Sequence, residues 1–240
     1  MLKRRHIPNA LTTGRLALAL VLFIIFSVWL EARVSGGGLA GPAVYDESAL
    51  GDWFRAHGRS CLNGLAGLFF IAGVTDFLDG WLARRWNVVS AFGRIADPFA
   101  DKIVIVGSFV LFLPLGAEAT GLAPWMVVAV LAREFLVTSI RGYAESRGIP
   151  FPASWWGKAK MMLQSLCVGV LYLVIANEGW FTGAMAPAVR VLVGLTVAVT
   201  LISGGAYTWQ ARTLLQSPAN DVESEPPAAG QGESASRPAG

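Results

Sequence analysis

Apolar residues in this chain fall in long blocks. Blocks at about 10–31, 92–115, 122–147, 157–177 and 186–211 are each bounded by glycine, proline or charge. At 1.5 Å per residue each can cross a hydrocarbon layer of about 30 Å. A further block begins at Cys61 and runs through Val74 into a group of carboxylates. The pattern predicts an all-α, polytopic membrane protein with six transmembrane helices over residues 1–216 and both termini on one side. Residues 32–58 are glycine-rich and carry Asp46, Glu47, Asp52 and Arg55, so they form a loop, with a short surface helix predicted over Glu47 to His57. After Gln216 the chain is rich in Pro, Ala, Gly, Ser and Glu, which predicts a disordered tail over 217–240. No solenoid-like repeat appears, and the six blocks do not divide into two similar halves.

Composition agrees with the block pattern and excludes a soluble enzyme: 54% of the 240 residues are hydrophobic and 15% charged. The net charge of +3 is small, so its placement carries the information. Lys3, Arg4 and Arg5, then Arg84, Arg85 and Arg94, then Arg141, Arg147, Lys158 and Lys160, and finally Arg212 all fall on one side of the predicted bilayer. Arg33, Arg55, Arg59 and several acids fall on the other, so the positive-inside rule places both termini in the cytoplasm and the 32–58 loop outside. Arg147 and Arg212 are assigned to that charge bias alone. The first block resembles a signal peptide in its basic start, but Arg15 interrupts it and no small-x-small site follows Glu31, so it reads as a retained helix. Cys61 and Cys167 are far apart in apolar surroundings and suggest no disulfide framework. His6 and His57 lack metal-site spacing, and Trp125, Trp155, Trp156 and Trp180 lie where interfacial anchors belong.

One stretch departs from the apolar background. Asp76, Asp79, Gly80 and Ala83 fall on one stripe of a helix, and Asp97 and Asp101 lie one turn apart on the next. Asp76 is 15 residues beyond Cys61, or roughly 22 Å along a helix, which puts it in the cytoplasmic third of the bilayer. A charge at the bilayer centre costs on the order of 3 kcal/mol, and neighbouring carboxylates repel one another. Divalent cations resolve both penalties and hold phosphate-bearing ligands. An N-cap role before Pro98 accounts for Asp97 but not for all four aspartates. A cation transporter using membrane carboxylates is the non-enzymatic alternative; the one-sided placement of the aspartates and the want of an inverted repeat weigh against it.

Written out, the stretch is D-x2-D-G-x2-A-R-x8-G-x3-D-x3-D, filled by Asp76, Asp79, Gly80, Ala83, Arg84, Gly93, Asp97 and Asp101. It resembles the signature of the CDP-alcohol phosphatidyltransferases without gap or substitution. The resemblance implies a six-helix membrane enzyme, usually a homodimer, that uses two Mg²⁺ or Mn²⁺ ions to transfer a phosphatidyl group from CDP-diacylglycerol to an alcohol and releases CMP. By position, Asp76, Asp79, Asp97 and Asp101 would hold the metals, Asp101 would also act as general base, and Gly80, Ala83, Arg84 and Gly93 would line the CDP site beside Asp76 and Asp79. The segment Pro8 to Arg15 is similar to the family's N-terminal segment, in which Asn9, Thr12 and Arg15 would border the nucleotide. Many relatives carry proline five residues after that arginine where this chain has Leu20, which removes the expected source of a kink in the first helix.

The acceptor is read from elsewhere. Ala132 to Arg141 and Trp156 to Lys160 resemble the branch whose acceptor is glycerol 3-phosphate, with phosphatidylglycerophosphate as product. Arg133, Arg141 and Lys158 are the candidate ligands of its phosphate: arginine offers a fork of donors and lysine a point charge. Glu134 and Arg141, seven residues apart, share a helical face, so the acid is expected to position the base. Each of these bases also suits the cytoplasmic charge bias or an anionic lipid headgroup, and Lys102 suits neutralisation of the aspartates. Phosphatidylglycerol, inositol phosphate and serine are the alternative acceptors, membrane lipids the surroundings, and no nucleic-acid partner is expected.

Overall fold

The computed structural model describes residues 2–33, 44–86, 91–148, 155–177 and 185–216, with side chains at 2–12, 76–98, 101, 156 and 213–216 outside the described set. Helices are α1 (Leu2–Ala32), α2 (Ala49–Trp86), α3 (Ala91–Phe112), α4 (Ala117–Thr120), α5 (Pro124–Ser146), α6 (Trp155–Ala176) and α7 (Met185–Gln216). A 3-10 turn, Leu113–Leu115, ends α3 where Pro114 withholds a backbone donor. The described residues are otherwise helix and short connections, so the all-α expectation holds. The tail at 217–240, Trp180 and His6 lie outside the described residues or side chains.

Among the described residues, three helical stretches are long and apolar enough to cross a membrane: Thr13–Ala32, Gly157–Ala176 and Met185–Arg212. Helix α5 has the length, but Arg133, Glu134, Arg141 and Glu145 interrupt its apolar run. Leu20, Ile24, Ile71, Val128, Phe135 and Val191 point outward, an apolar exterior suited to lipid rather than water.

The surface helix expected at 47–57 and the following span are one continuous helix of 38 residues. No proline or paired glycine intervenes to break it, and the polar residues between Asp52 and Ser60 do not oppose helix. Ser48 caps its start, its Oγ accepting from Gly51 N at 3.0 Å. The short segment before it is fastened to the end of α1. Trp29 Nε1 donates to Tyr45 Oη at 3.2 Å, and Asp46 N donates to Ala32 O at 3.0 Å. Gly58 has room for no larger residue without a shift, since a Cβ there would lie 3.1 Å from Tyr45 Oη.

Helices α1 and α3 pack together, as do α1 and α2, α2 and α6, α6 and α7, and α7 and α5, with α5 returning to α3. At the centre an aromatic group ties α1, α2, α3 and α6. Tyr172 lies 4.8 Å from Phe112 and 5.7 Å from both Phe26 and Phe69, ring centre to ring centre. Such pairs add about 0.5–1.5 kcal/mol each beyond the area they bury. The buried Tyr172 hydroxyl is satisfied by Ser108 Oγ at 3.0 Å. Helices α1 and α3 approach closely at Gly107, where a Cβ would stand 2.4 Å from Phe23 Cζ. Gly107→Leu is therefore expected to cost about 1–3 kcal/mol by overpacking; a lowered thermal midpoint of the purified protein in detergent checks it.

Candidate functional site

Helix α2 carries Asp76, Asp79, Gly80, Ala83 and Arg84, and α3 carries Gly93, Asp97 and Asp101. Their side chains, with those of Asn9 and Thr12, lie outside the described set, so the structure fixes their helices and register only. Both backbones are helical throughout these positions, which preserves the three- and four-residue spacing that stacks each pair on a face. Only four residues, 87–90, separate the two helices, so the two carboxylate pairs belong to one end of the bundle. Helix α1 packs against both α2 and α3, and Arg15 on it is buried.

A polar network is built between α3, α5, α6 and α7. Its hub is Glu134 of α5, 7% exposed, whose Oε1 accepts from Arg133 Nη1 at 3.2 Å and from Lys160 Nζ of α6. Arg133 Nη2 donates to Ser203 Oγ of α7 at 2.7 Å. A Cβ at Gly204 would lie 2.7 Å from Arg133 Cγ, so the absence of a side chain there admits the arginine stem. Gln164 follows Lys160 by one turn and donates to Thr200 Oγ1 at 3.1 Å. Lys102 of α3 donates to Thr138 Oγ1 of α5, whose hydroxyl in turn donates to Glu134 O at 2.7 Å. The residue next to Asp101 is thereby tied to the hub's helix. With Arg133, Lys160 and Lys102 gathered around one carboxylate, the cluster has an excess of positive charge. In a low-dielectric bundle such an excess favours an anionic ligand.

The candidate acceptor residues are distributed unequally around this hub. Arg133 is 6% exposed and its two terminal nitrogens are engaged. Arg141 is exposed, and its Nη2 donates to Tyr207 Oη at 2.8 Å. Lys158 is exposed at the start of α6. The spacing predicts a Glu134–Arg141 pair; the structure pairs Glu134 with Lys160 and Arg133 instead, because α6 brings an ammonium against the acid while Arg141 turns toward α7. The partner missed from sequence is Lys160. It lies two positions beyond Lys158, or about 200° around a helix, so only one of the two can face inward. The sequence does hold a signal for the rest: Lys160 and Gln164 on α6, and Thr196, Thr200, Ser203 and Tyr207 on α7, recur at three- and four-residue steps in apolar helices.

The CDP-alcohol phosphatidyltransferase family model matches residues 5–202. The chain belongs to this family. The match takes in the whole aspartate signature and the network as far as Thr200, and ends before Ser203 and Tyr207. A CDP-diacylglycerol–glycerol-3-phosphate 3-phosphatidyltransferase of Bacillus subtilis is 29% identical over 211 residues, covering 86% of this chain and 96% of its own. The protein of the same name from Mycoplasma pneumoniae is 31% identical over 218 residues, covering 86% and 88%. A probable phosphatidylglycerophosphate synthase of Mycobacterium tuberculosis is 34% identical over 145 residues, covering 60% and 64%. As a CDP-alcohol phosphatidyltransferase, the chain is an enzyme with membrane-type apolar helices.

Proposed function

We propose that this enzyme transfers the phosphatidyl group of CDP-diacylglycerol to glycerol 3-phosphate, giving phosphatidylglycerophosphate and CMP. The observation that carries the reading is the complete aspartate signature on two helices joined by four residues, in a chain whose relatives bear that activity in their names. The donor set fits the implied metals: four carboxylates offer oxygen ligands only, the preference of Mg²⁺ and Mn²⁺. Asp76, Asp79, Asp97 and Asp101 would hold two such ions, which when bound neutralise charge on the pyrophosphate and on departing CMP.

The protein's own groups do the rest. Gly80, with no side chain, lets the nucleotide approach the α2 backbone, and Ala83, Arg84, Gly93, Asn9, Thr12 and Arg15 border it. Asp101 takes the proton from the 1-hydroxyl of glycerol 3-phosphate as that oxygen attacks the lipid-side phosphorus; the bond to the CMP oxygen breaks. Arg141 receives the acceptor phosphate, with Arg133 behind it in the cationic cluster, while Lys158 lies on the opposite side of α6 from Lys160 and the hub. In this reading six helices span the cytoplasmic membrane, both termini and the site face the cytoplasm, and the enzyme is a homodimer. Six long helices, and basic residues at one set of their ends, support the six-span topology and its orientation.

Purified protein with Mg²⁺ or Mn²⁺ and CDP-diacylglycerol is expected to release CMP on addition of glycerol 3-phosphate. Serine should give less than about a hundredth of that rate, since it brings no phosphate to the cationic site, and phosphatidylglycerol and inositol phosphate should each give less than glycerol 3-phosphate. Equal or greater release with any of the three overturns the acceptor assignment.

A further inference from the structure

Arg133 and Arg141 meet at one residue that no motif singles out. Tyr207 of α7 is 1% exposed, and its ring centre lies 5.6 Å from Arg133 Cζ and 5.3 Å from Arg141 Cζ, within cation–π range of both. Its hydroxyl accepts from Arg141 Nη2 at 2.8 Å. Ser203, one turn earlier on α7, accepts from Arg133. One face of α7 therefore fixes both guanidinium groups, but to different ends. Arg133 is buried with its terminal nitrogens committed, whereas Arg141 is exposed and, among the described residues, hydrogen-bonds only to Tyr207.

We propose that Tyr207 is a positioning residue of the acceptor site. Its hydroxyl holds one edge of the Arg141 guanidinium, leaving the other donors as a preset fork for the phosphate of glycerol 3-phosphate. The proposal rests on the reading of Arg141 as a phosphate ligand. An unrestrained arginine gives up rotamer freedom each time the acceptor binds, and that loss falls on KM for the acceptor. Anchoring by a buried tyrosine removes most of it beforehand. The ring supplies a second restraint that does not depend on the hydroxyl.

The test measures CMP release by the full-length enzyme as a function of glycerol 3-phosphate at saturating CDP-diacylglycerol. Tyr207→Phe keeps the ring and removes only the acceptor atom. Its KM for glycerol 3-phosphate is expected to rise about tenfold, the usual effect of losing one hydrogen bond from a charged donor, with kcat and the KM for CDP-diacylglycerol within about twofold. In an Arg141→Ala background the same change should add nothing, because the partner it positions is gone. An unchanged acceptor KM in Tyr207→Phe, beside a raised one in Arg141→Ala, overturns the positioning role and keeps Arg141 as ligand. An unchanged KM in Arg141→Ala overturns the reading beneath it. A fall in kcat for Tyr207→Phe that recurs undiminished in the Arg141→Ala background marks a structural role and overturns the proposal.

Discussion

Asp101→Asn is expected to slow CMP release about a thousandfold at saturating substrates, with the protein still folded and purified in normal yield. The substitution keeps the side chain's size but removes its charge, so in the proposed mechanism it would take away a general base, for which losses of roughly 10²–10⁴ are usual, and weaken a metal ligand as well. Asp97→Ala should lose activity on a similar scale, through metal binding alone. The two differ in their response to divalent cation. Raised Mn²⁺ should recover part of the Asp97→Ala rate and little of the Asp101→Asn rate, since added metal replaces occupancy but not a base. Full activity in Asp97→Ala would contradict the two-metal reading outright.

The second large effect concerns the fold. Glu134→Leu is expected to destabilise the protein by about 3–5 kcal/mol, because it strands two buried cations, Arg133 and Lys160, without their shared carboxylate. In thermal unfolding that corresponds to a fall of roughly 10 °C in the midpoint for a chain of this size. The competing term decides the companion experiment. A buried ion pair replaced as a unit by apolar groups is often close to neutral, so Glu134→Leu combined with Lys160→Met should recover much of the loss. What it does not recover is the share owed to Arg133, which keeps Ser203 and Tyr207 but not its acid. If Glu134→Leu alone unfolds at the normal temperature, the Glu134 hub contributes nothing to stability.

Legibility from sequence follows from which physical signal each feature leaves. Long apolar blocks place α3, α5 and α6 to within three residues, because membrane length and hydropathy act on every position in a block, whereas α1 begins eight residues before its block and α7 runs five residues past its own. The start of α2 is misplaced by the same reasoning: the helix continues through the polar stretch around Arg55 and Ser60, where hydropathy falls but nothing stops a helix. The aspartates stand out in the sequence because their spacing matches the family signature, and the structure adds only that they lie on α2 and α3. Partnerships across helices do not stand out. Glu134 shares a face with Arg141 in sequence, yet its cationic partner comes from α6, and which of Lys158 and Lys160 turns inward depends on the rotation of α6 against α2 and α7. That rotation is set by packing around Tyr172 and Gln164, which no one-dimensional pattern records.

The unbroken course of α2 has a mechanical meaning. Its 38 residues make a rod of about 57 Å, nearly twice the thickness of a bilayer's hydrocarbon. One end is clamped to α1 through Trp29, Tyr45 and Asp46; the other bears Asp76 and Asp79. A helix does not stretch, so the clamp fixes how far the carboxylate-bearing turns of α2 lie from the end of α1, some 30 residues along the chain from where it grips.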